Sequence, residues 1–257
     1  MPRSILIIDD HDDMGTGLRA LFEAQGHEIT VCTNHQNAVD LCVANTFELV
    51  ITDLDVIPGN SVEAEIGDDG RALFRIFKIS AARFLQNEGF TDELTSLIGT
   101  VLDYKARFLD SHATVRSIRE IVEIEVPSVV ELMVPVLSYL TARVEKLGVI
   151  DSATSNLFIA LDEAFANAIR HGNKLDPAKM VRISADLSSE EASFTVEDEG
   201  EGFDISSIPD PREPMNLLKA SGRGVFFISN IMDEVRYNER GNRITMVKKA
   251  EGEKTEA

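Results

Sequence analysis

Tryptophan is absent from this chain, cysteine occurs only twice and tyrosine three times. The two cysteines, Cys32 and Cys42, form no CxxC and stand with no paired histidines. That argues against a zinc site and against a disulfide-stapled scaffold, and it points to a reducing, cytoplasmic setting. Basic residues are also short: 25 against 44 acidic ones, for a net charge of -19. A surface of that sign repels a phosphate backbone, so nucleic-acid binding is not expected. It suits basic protein partners or divalent cations, or solubility alone. No apolar run approaches the roughly 20 residues of a membrane span, so no membrane partner is expected. The opening MPRSILIIDDHDD turns acidic at once and has no signal-peptide pattern.

What is present suits folded domains. The 257 residues are 44% hydrophobic and 27% charged, enough for two domains of ordinary size. Only EGEKTEA, 251–257, reads as a frayed tail.

The first half alternates strands and helices. SILIIDD is a short apolar run ending in acids, as a buried parallel strand would be. MGTGLRALFEAQGHE has helical period and a C-cap at Gly26. ITVCTN, HQNAVDLCVANTF and ELVITDLDVIPG then predict strand, helix and strand, the last running into a Pro-Gly turn. That order implies a doubly wound parallel sheet, whose sites form at the carboxyl ends of strands. Asp9 and Asp10 end the first strand and Asp53 the third. Three carboxylates meeting there need a cation, and all-oxygen ligation suits magnesium.

ILIIDDHDDMG and LVITDLDVIPG resemble the first and third strands of the receiver domain of response regulators. The resemblance implies Asp9 and Asp10 as magnesium ligands, Asp53 as both ligand and phosphoacceptor, and a sensor histidine kinase as its donor. Beyond residue 60 the pattern departs from the family, and the receiver-like domain, 1–110, reads as shortened. ALFRIFKISA is a candidate fourth strand, with Ser80 as the switch hydroxyl and Lys105 as the receiver lysine in that register. Lys105, however, lies in TDELTSLIGTVLDYKARF, which has helical period. If that is the last helix, a strand and a helix are missing and Lys78 is the nearby lysine.

From about residue 119 the texture changes. REIVEIEVPS alternates like a half-exposed strand, and VVELMVPVLSYLTARVEKLG predicts a long helix bent at Pro135. LDEAFANAIRHGN predicts a helix capped at Asp151 or Ser152. Glu163, Asn167 and His171 stack along one face of it. VRISADLS and EASFTVEDEG predict paired strands, and VRYNERGNRITMVKK a final hairpin turning at Gly241. Helices beside an antiparallel sheet make an α+β sandwich over 119–250. Two glycine turns stand within it. In EDEGEGFD, Asp198 can accept a hydrogen bond from an exocyclic amine, while Gly200 and Gly202 let backbone approach a flat ligand. In SGRGVFFISNIMDEV, Gly222 and Gly224 precede an apolar helix, whose first amides would cradle phosphate.

This succession resembles the Bergerat ATP-binding fold shared by gyrase, histidine kinases and MutL, and most of all the anti-sigma-factor serine kinases of bacterial partner switching. The short lid DISSIPDPREPMNLLKA fits that branch too. The resemblance implies ATP and Mg2+ as cofactors. Asn167 would offer its amide oxygen to magnesium, Glu163 would be the general base, and Asp198, with Gly200 and Gly202, would read adenine. Gly222, Arg223 and Gly224 would wrap the phosphates, and His171 would cap the helix end. The implied function is a serine kinase, under receiver control, that phosphorylates an anti-sigma-factor antagonist and holds a sigma factor in its absence, with a homodimer expected from the family. Two alternatives stand beside it. One is an ATP-binding module that switches partners without chemistry. The other is a histidine kinase, whose only candidate phosphoacceptor is His112 in DSHATVRSIRE, without the usual surrounding box.

Overall fold

The computed structural model describes residues 2–10, 13–56, 74–111, 119–151, 153–202 and 223–250. The chain divides into two compact units, 1–126 and 127–257.

In the first unit the strands are β1 (Ser4–Asp9), β2 (Glu28–Cys32), β3 (Leu49–Val56), β4 (Phe74–Ser80) and β5 (Arg119–Pro127). The helices are α1 (Asp13–Ala24), α2 (His35–Ala44) and α3 (Phe90–Ser111). β1 pairs in parallel with β2 and with β3, as the alternation of elements requires. α1 stops where Gly26 takes a positive φ of 86°. Alternate residues of the strands serve two faces. Leu6, Ile8, Cys32, Ala38 and Phe47 pack one cluster around α2. Ile5, Ile7, Leu49 and Ile51 are fully buried, as are Met14, Leu18 and Phe22 of α1, which packs against α3.

The sheet then departs from an all-parallel plan. β4 runs antiparallel to β3, with Asp53 opposite Phe77 and Val50 opposite Ser80, and β5 returns parallel to β4. A parallel return after β3 would need a crossover, normally a helix. The reversal corrects the expectation for Ser80. Its strand ends at the edge away from the carboxyl end of β3, and its hydroxyl donates to Glu125 at 2.8 Å.

The second unit carries β6 (Met180–Leu187), β7 (Glu191–Asp198), β8 (Glu234–Tyr237) and β9 (Arg243–Lys249) in the order β6-β7-β9-β8, antiparallel throughout. α4 (Met133–Lys146), α5 (Leu157–Asn167) and α6 (Arg223–Ile231) form its helices, with α5 packed against both others. Strict alternation along β6 buries Val181, Ile183, Ala185 and Leu187, and Leu161, Ala164 and Phe165 of α5 complete the core.

Two local expectations change. Pro135 lies in the first turn of α4, where its missing N–H has no partner to lose, so it begins the helix rather than bending it. α5 begins at Leu157, with Asn156 as its flanking residue and the Leu157 amide donating to Ser155 Oγ, later than a cap at residues 151–152 predicts.

Candidate functional site

α5 does not continue as one regular helix to His-Gly-Asn. After Asn167 the chain widens into a π-turn, Ala168–Gly172, closed by the Asn173 amide on the carbonyl of Ala168 at 2.8 Å. Single π-turns of this kind are frequent at functional sites. Glu163 and Asn167 keep their one-turn spacing on α5, both half-buried, but the widened turn takes His171 off that ladder and leaves it exposed. Lys174 and Leu175 then follow with φ of 58° and 60°, an uncommon left-handed pair outside glycine.

Asn173 explains how that turn is held. It is fully buried, and its amide donates to Ser128 Oγ at 2.7 Å and to the Met180 carbonyl at 2.8 Å. Its Oδ1 accepts the Glu199 amide at 2.8 Å. One side chain thus ties the end of the α5 region to the loop that follows β7.

That loop begins at Asp198, which is 9% exposed and lies directly over Gly172. A methyl group on Gly172 would fall on the Asp198 carboxyl. The Gly200 amide donates to Asp198 Oδ1 at 2.7 Å, and a methyl on Gly200 would lie 2.6 Å from the Gly172 carbonyl carbon. Gly202 takes φ of 79°, against the backbone of Arg240. The final hairpin braces the same turn. Asn242 Nδ2 donates to the Asp198 carbonyl at 2.7 Å, and the Arg240 guanidinium donates to the Gly200 carbonyl at 2.7 Å. Burial pushes the Asp198 carboxyl above its ordinary range, opposed by the Gly200 amide and by the charge of Arg240.

At the other side of α5, Gly224 is the second residue of α6 and lies against the Glu163 side chain. Arg223 opens α6, with its side chain outside the described residues, as are Gly222, the lid and His112. The structure therefore gathers Glu163, Asn167, Gly172, Asp198, Gly200, Gly202 and Gly224 around the C-terminal half of α5. Gly172 and Gly200 let the two chain segments close on the buried Asp198 carboxylate, an acceptor suited to an amine, and the start of α6 suits an anion. Asn173, Asn242 and Arg240 were not foreseen. Their sequence contexts, HGN and ERGNR, read only as turn chemistry.

In the first unit, Asp9 is 1% exposed and accepts the Gly15 amide at 2.5 Å, capping the start of α1. Asp10 is exposed. Asp53, 5% exposed, is met by Lys105 Nζ at 2.5 and 2.6 Å from its two oxygens. Lys105 is itself 1% exposed, lies over the rings of Phe77 and Phe108, and comes from α3, a helix. Burial raises the Asp53 carboxyl and lowers the Lys105 ammonium, each opposed by its partner's charge. Lys78 is half-exposed and pairs instead with Glu123. Among the described residues no group of three or more His, Cys, Asp or Glu is gathered to hold a metal ion.

Comparison with known proteins bears on the second unit. The model of the histidine kinase-like ATPase domain matches residues 126–248. The anti-sigma F factor of Clostridium perfringens is 39% identical over 97 residues, 35% of this chain and 68% of its own length. The chain belongs to the histidine kinase-like ATPase family, in its anti-sigma-factor branch. Serine-protein kinases named RsbW are similar over a longer stretch. That of Oceanobacillus iheyensis is 25% identical over 134 residues, half of this chain and 85% of the relative. That of Bacillus subtilis is 28% identical over 142 residues, 52% of this chain and 89% of the relative. No described helix is long and apolar enough to cross a membrane.

Proposed function

We propose that this chain is an ATP-dependent serine protein kinase and anti-sigma regulatory factor whose ATPase unit is governed by its N-terminal, receiver-like unit. The observation that carries the reading is the convergence of an acid, an amide, a buried aspartate and four closely packed glycines near the end of α5.

ATP bound there supplies the phosphoryl group, and magnesium offsets the charge of its phosphates. The chain's own residues do the rest. Asp198, aligned by Gly200 and Asn242, accepts from the adenine amine. Asn167 would offer its amide oxygen to magnesium. The first amides of α6, with Gly222, Arg223 and Gly224, would hold the phosphates. Glu163 takes the proton from the incoming serine hydroxyl. Phosphoryl transfer needs this kind of positioning and charge neutralisation more than covalent help from the protein. The substrate is an anti-sigma-factor antagonist, and a sigma factor is the alternative partner. The setting is the cytoplasm, and the kinase unit pairs with a second copy.

Control enters through Asp53, phosphorylated by a sensor histidine kinase. Lys105 covers that carboxylate, so phosphorylation requires the Lys105 contact to open and couples Asp53 to α3.

The test pairs the full chain with γ-labelled ATP and the antagonist proteins encoded near its gene. Label on an antagonist serine, lost in Glu163→Ala, is the expected result. A changed rate after acyl-phosphate treatment, absent in Asp53→Asn, would report receiver control. Tight ATP binding with no transfer to any antagonist would instead leave a module that switches partners without chemistry.

A further inference from the structure

Four of the glycines around the site exclude a side chain, but not against the same kind of neighbour. At Gly172 a methyl would meet the buried Asp198 carboxyl; at Gly200 and Gly202 it would meet backbone, that of Gly172 and of Arg240. None of these neighbours can move without disturbing the strand ends. At Gly224 all three nearest atoms belong to one half-buried side chain, Glu163: its Cγ, at 2.6 Å, its carboxyl carbon and Oε1. A side chain can rotate away, so the space at Gly224 is needed less by the fold than by the carboxylate resting in it.

We propose that Gly224 is a positioning residue for Glu163: the bare Cα at the second position of α6 is the seat that fixes where the general base points. The inference rests on the kinase reading above and assigns Gly224 a role separate from phosphate contact. Three features of the structure support it. Gly224 stands in the first turn of α6, and a helix start is a favourable place for a carboxylate. α5 and α6 pack side by side, so the seat and the residue it holds belong to two elements in fixed contact. The Tyr237 phenol at the end of β8 is pushed up to about 12, first by burial and then by the negative charge of Glu163, which places that carboxylate's field on the neighbouring strand as well. A methyl at 224 turns the carboxylate off its seat while leaving Asp198, Gly172 and Gly200 untouched.

The experiment uses the full-length chain as Gly224→Ala, Glu163→Asp and the double variant, with wild type and Glu163→Ala as references. Phosphoryl transfer to the antagonist is resolved into kcat and KM, and the ATP dissociation constant is measured separately. Gly224→Ala is expected to lower kcat roughly 10- to 100-fold, the scale of a small misplacement of a reacting group, with the ATP dissociation constant changed by less than about threefold. Glu163→Asp, one methylene shorter, should restore part of that loss in the Gly224→Ala background while impairing the wild type. Loss of ATP affinity in proportion to activity would overturn the proposal in favour of a phosphate cradle alone, as would an unchanged kcat. A readout independent of activity separates this from the kinase reading. In the wild type the Gly224 amide resonance should follow one carboxylate titration that Glu163→Gln abolishes. If it follows none, the seat does not exist, whether or not the protein is a kinase.

Discussion

At Asp198, burial lifts the carboxyl above its ordinary range while the Gly200 amide and Arg240 work against that shift. In its proposed role Asp198 accepts from the adenine amine more strongly when ionised. As pH falls, Asp198 therefore takes up its proton earlier than an ordinary carboxylate would, and ATP affinity drops with it. Stability has the opposite sign. A folded-state value above the unfolded one stabilises fully below the unfolded value and is lost as pH rises through the folded value. From neutral pH down to about pH 4, ATP titration should show affinity falling while this group's part of the urea midpoint rises. Asp198→Asn should remove both trends. An affinity that holds to pH 4 in the wild type would mean that Asp198 does not read the base. The placement of Glu163 and Asn167 on one helix and of Asp198 at the end of one strand was legible because spacing along an element is a local property. Asn173 was not, since its three partners come from Ser128, Met180 and Glu199.

At the scale of elements, α3 and β3 meet through a buried ion pair, and the physics of such pairs is asymmetric. Removing one partner leaves the other charge buried and uncompensated, at a cost of about 3–5 kcal/mol, whereas replacing both by well-packed neutral groups is often neutral or stabilising. Asp53→Ala should therefore lower the urea midpoint sharply, and Asp53→Asn combined with Lys105→Met should recover it to near the wild type. If the single and double variants were equally unstable, the pair would not be what anchors α3. The periodicity of TDELTSLIGTVLDYKARF predicted the helix correctly, and the helix still delivers the lysine. The two readings of this segment conflicted only because the receiver pattern places that lysine on a strand. The direction of β4 was not legible, because an apolar run such as FRIFKIS pairs equally well either way.

For the whole molecule, ATP acts as a ligand that binds the folded state. With magnesium, at about a hundredfold excess over its dissociation constant, it should add about 2.7 kcal/mol. That should raise the melting temperature by about 5–10 °C. Asp198→Asn should abolish the rise. A wild-type melting temperature indifferent to both ligands would sink the nucleotide site. The net charge of -19 bears on partners at this same scale: association with a basic antagonist surface should slow as salt screens it.

The sequence by itself determined the elements, because strands and helices follow from short-range periodicity and from punctuation by Gly26 and Gly241. It also determined the identity of the ATP-binding unit, because an acid, an amide, an aspartate and paired glycines recur there in a fixed order. Only the tertiary structure decided that β4 reverses, that Lys105 rather than a metal-gathering trio meets Asp53, that α5 opens into a π-turn before His171, and that Gly224 lies against the Glu163 side chain. Each of these depends on which residues, distant in the chain, are brought within a few ångströms, and local pattern carries no information about that distance.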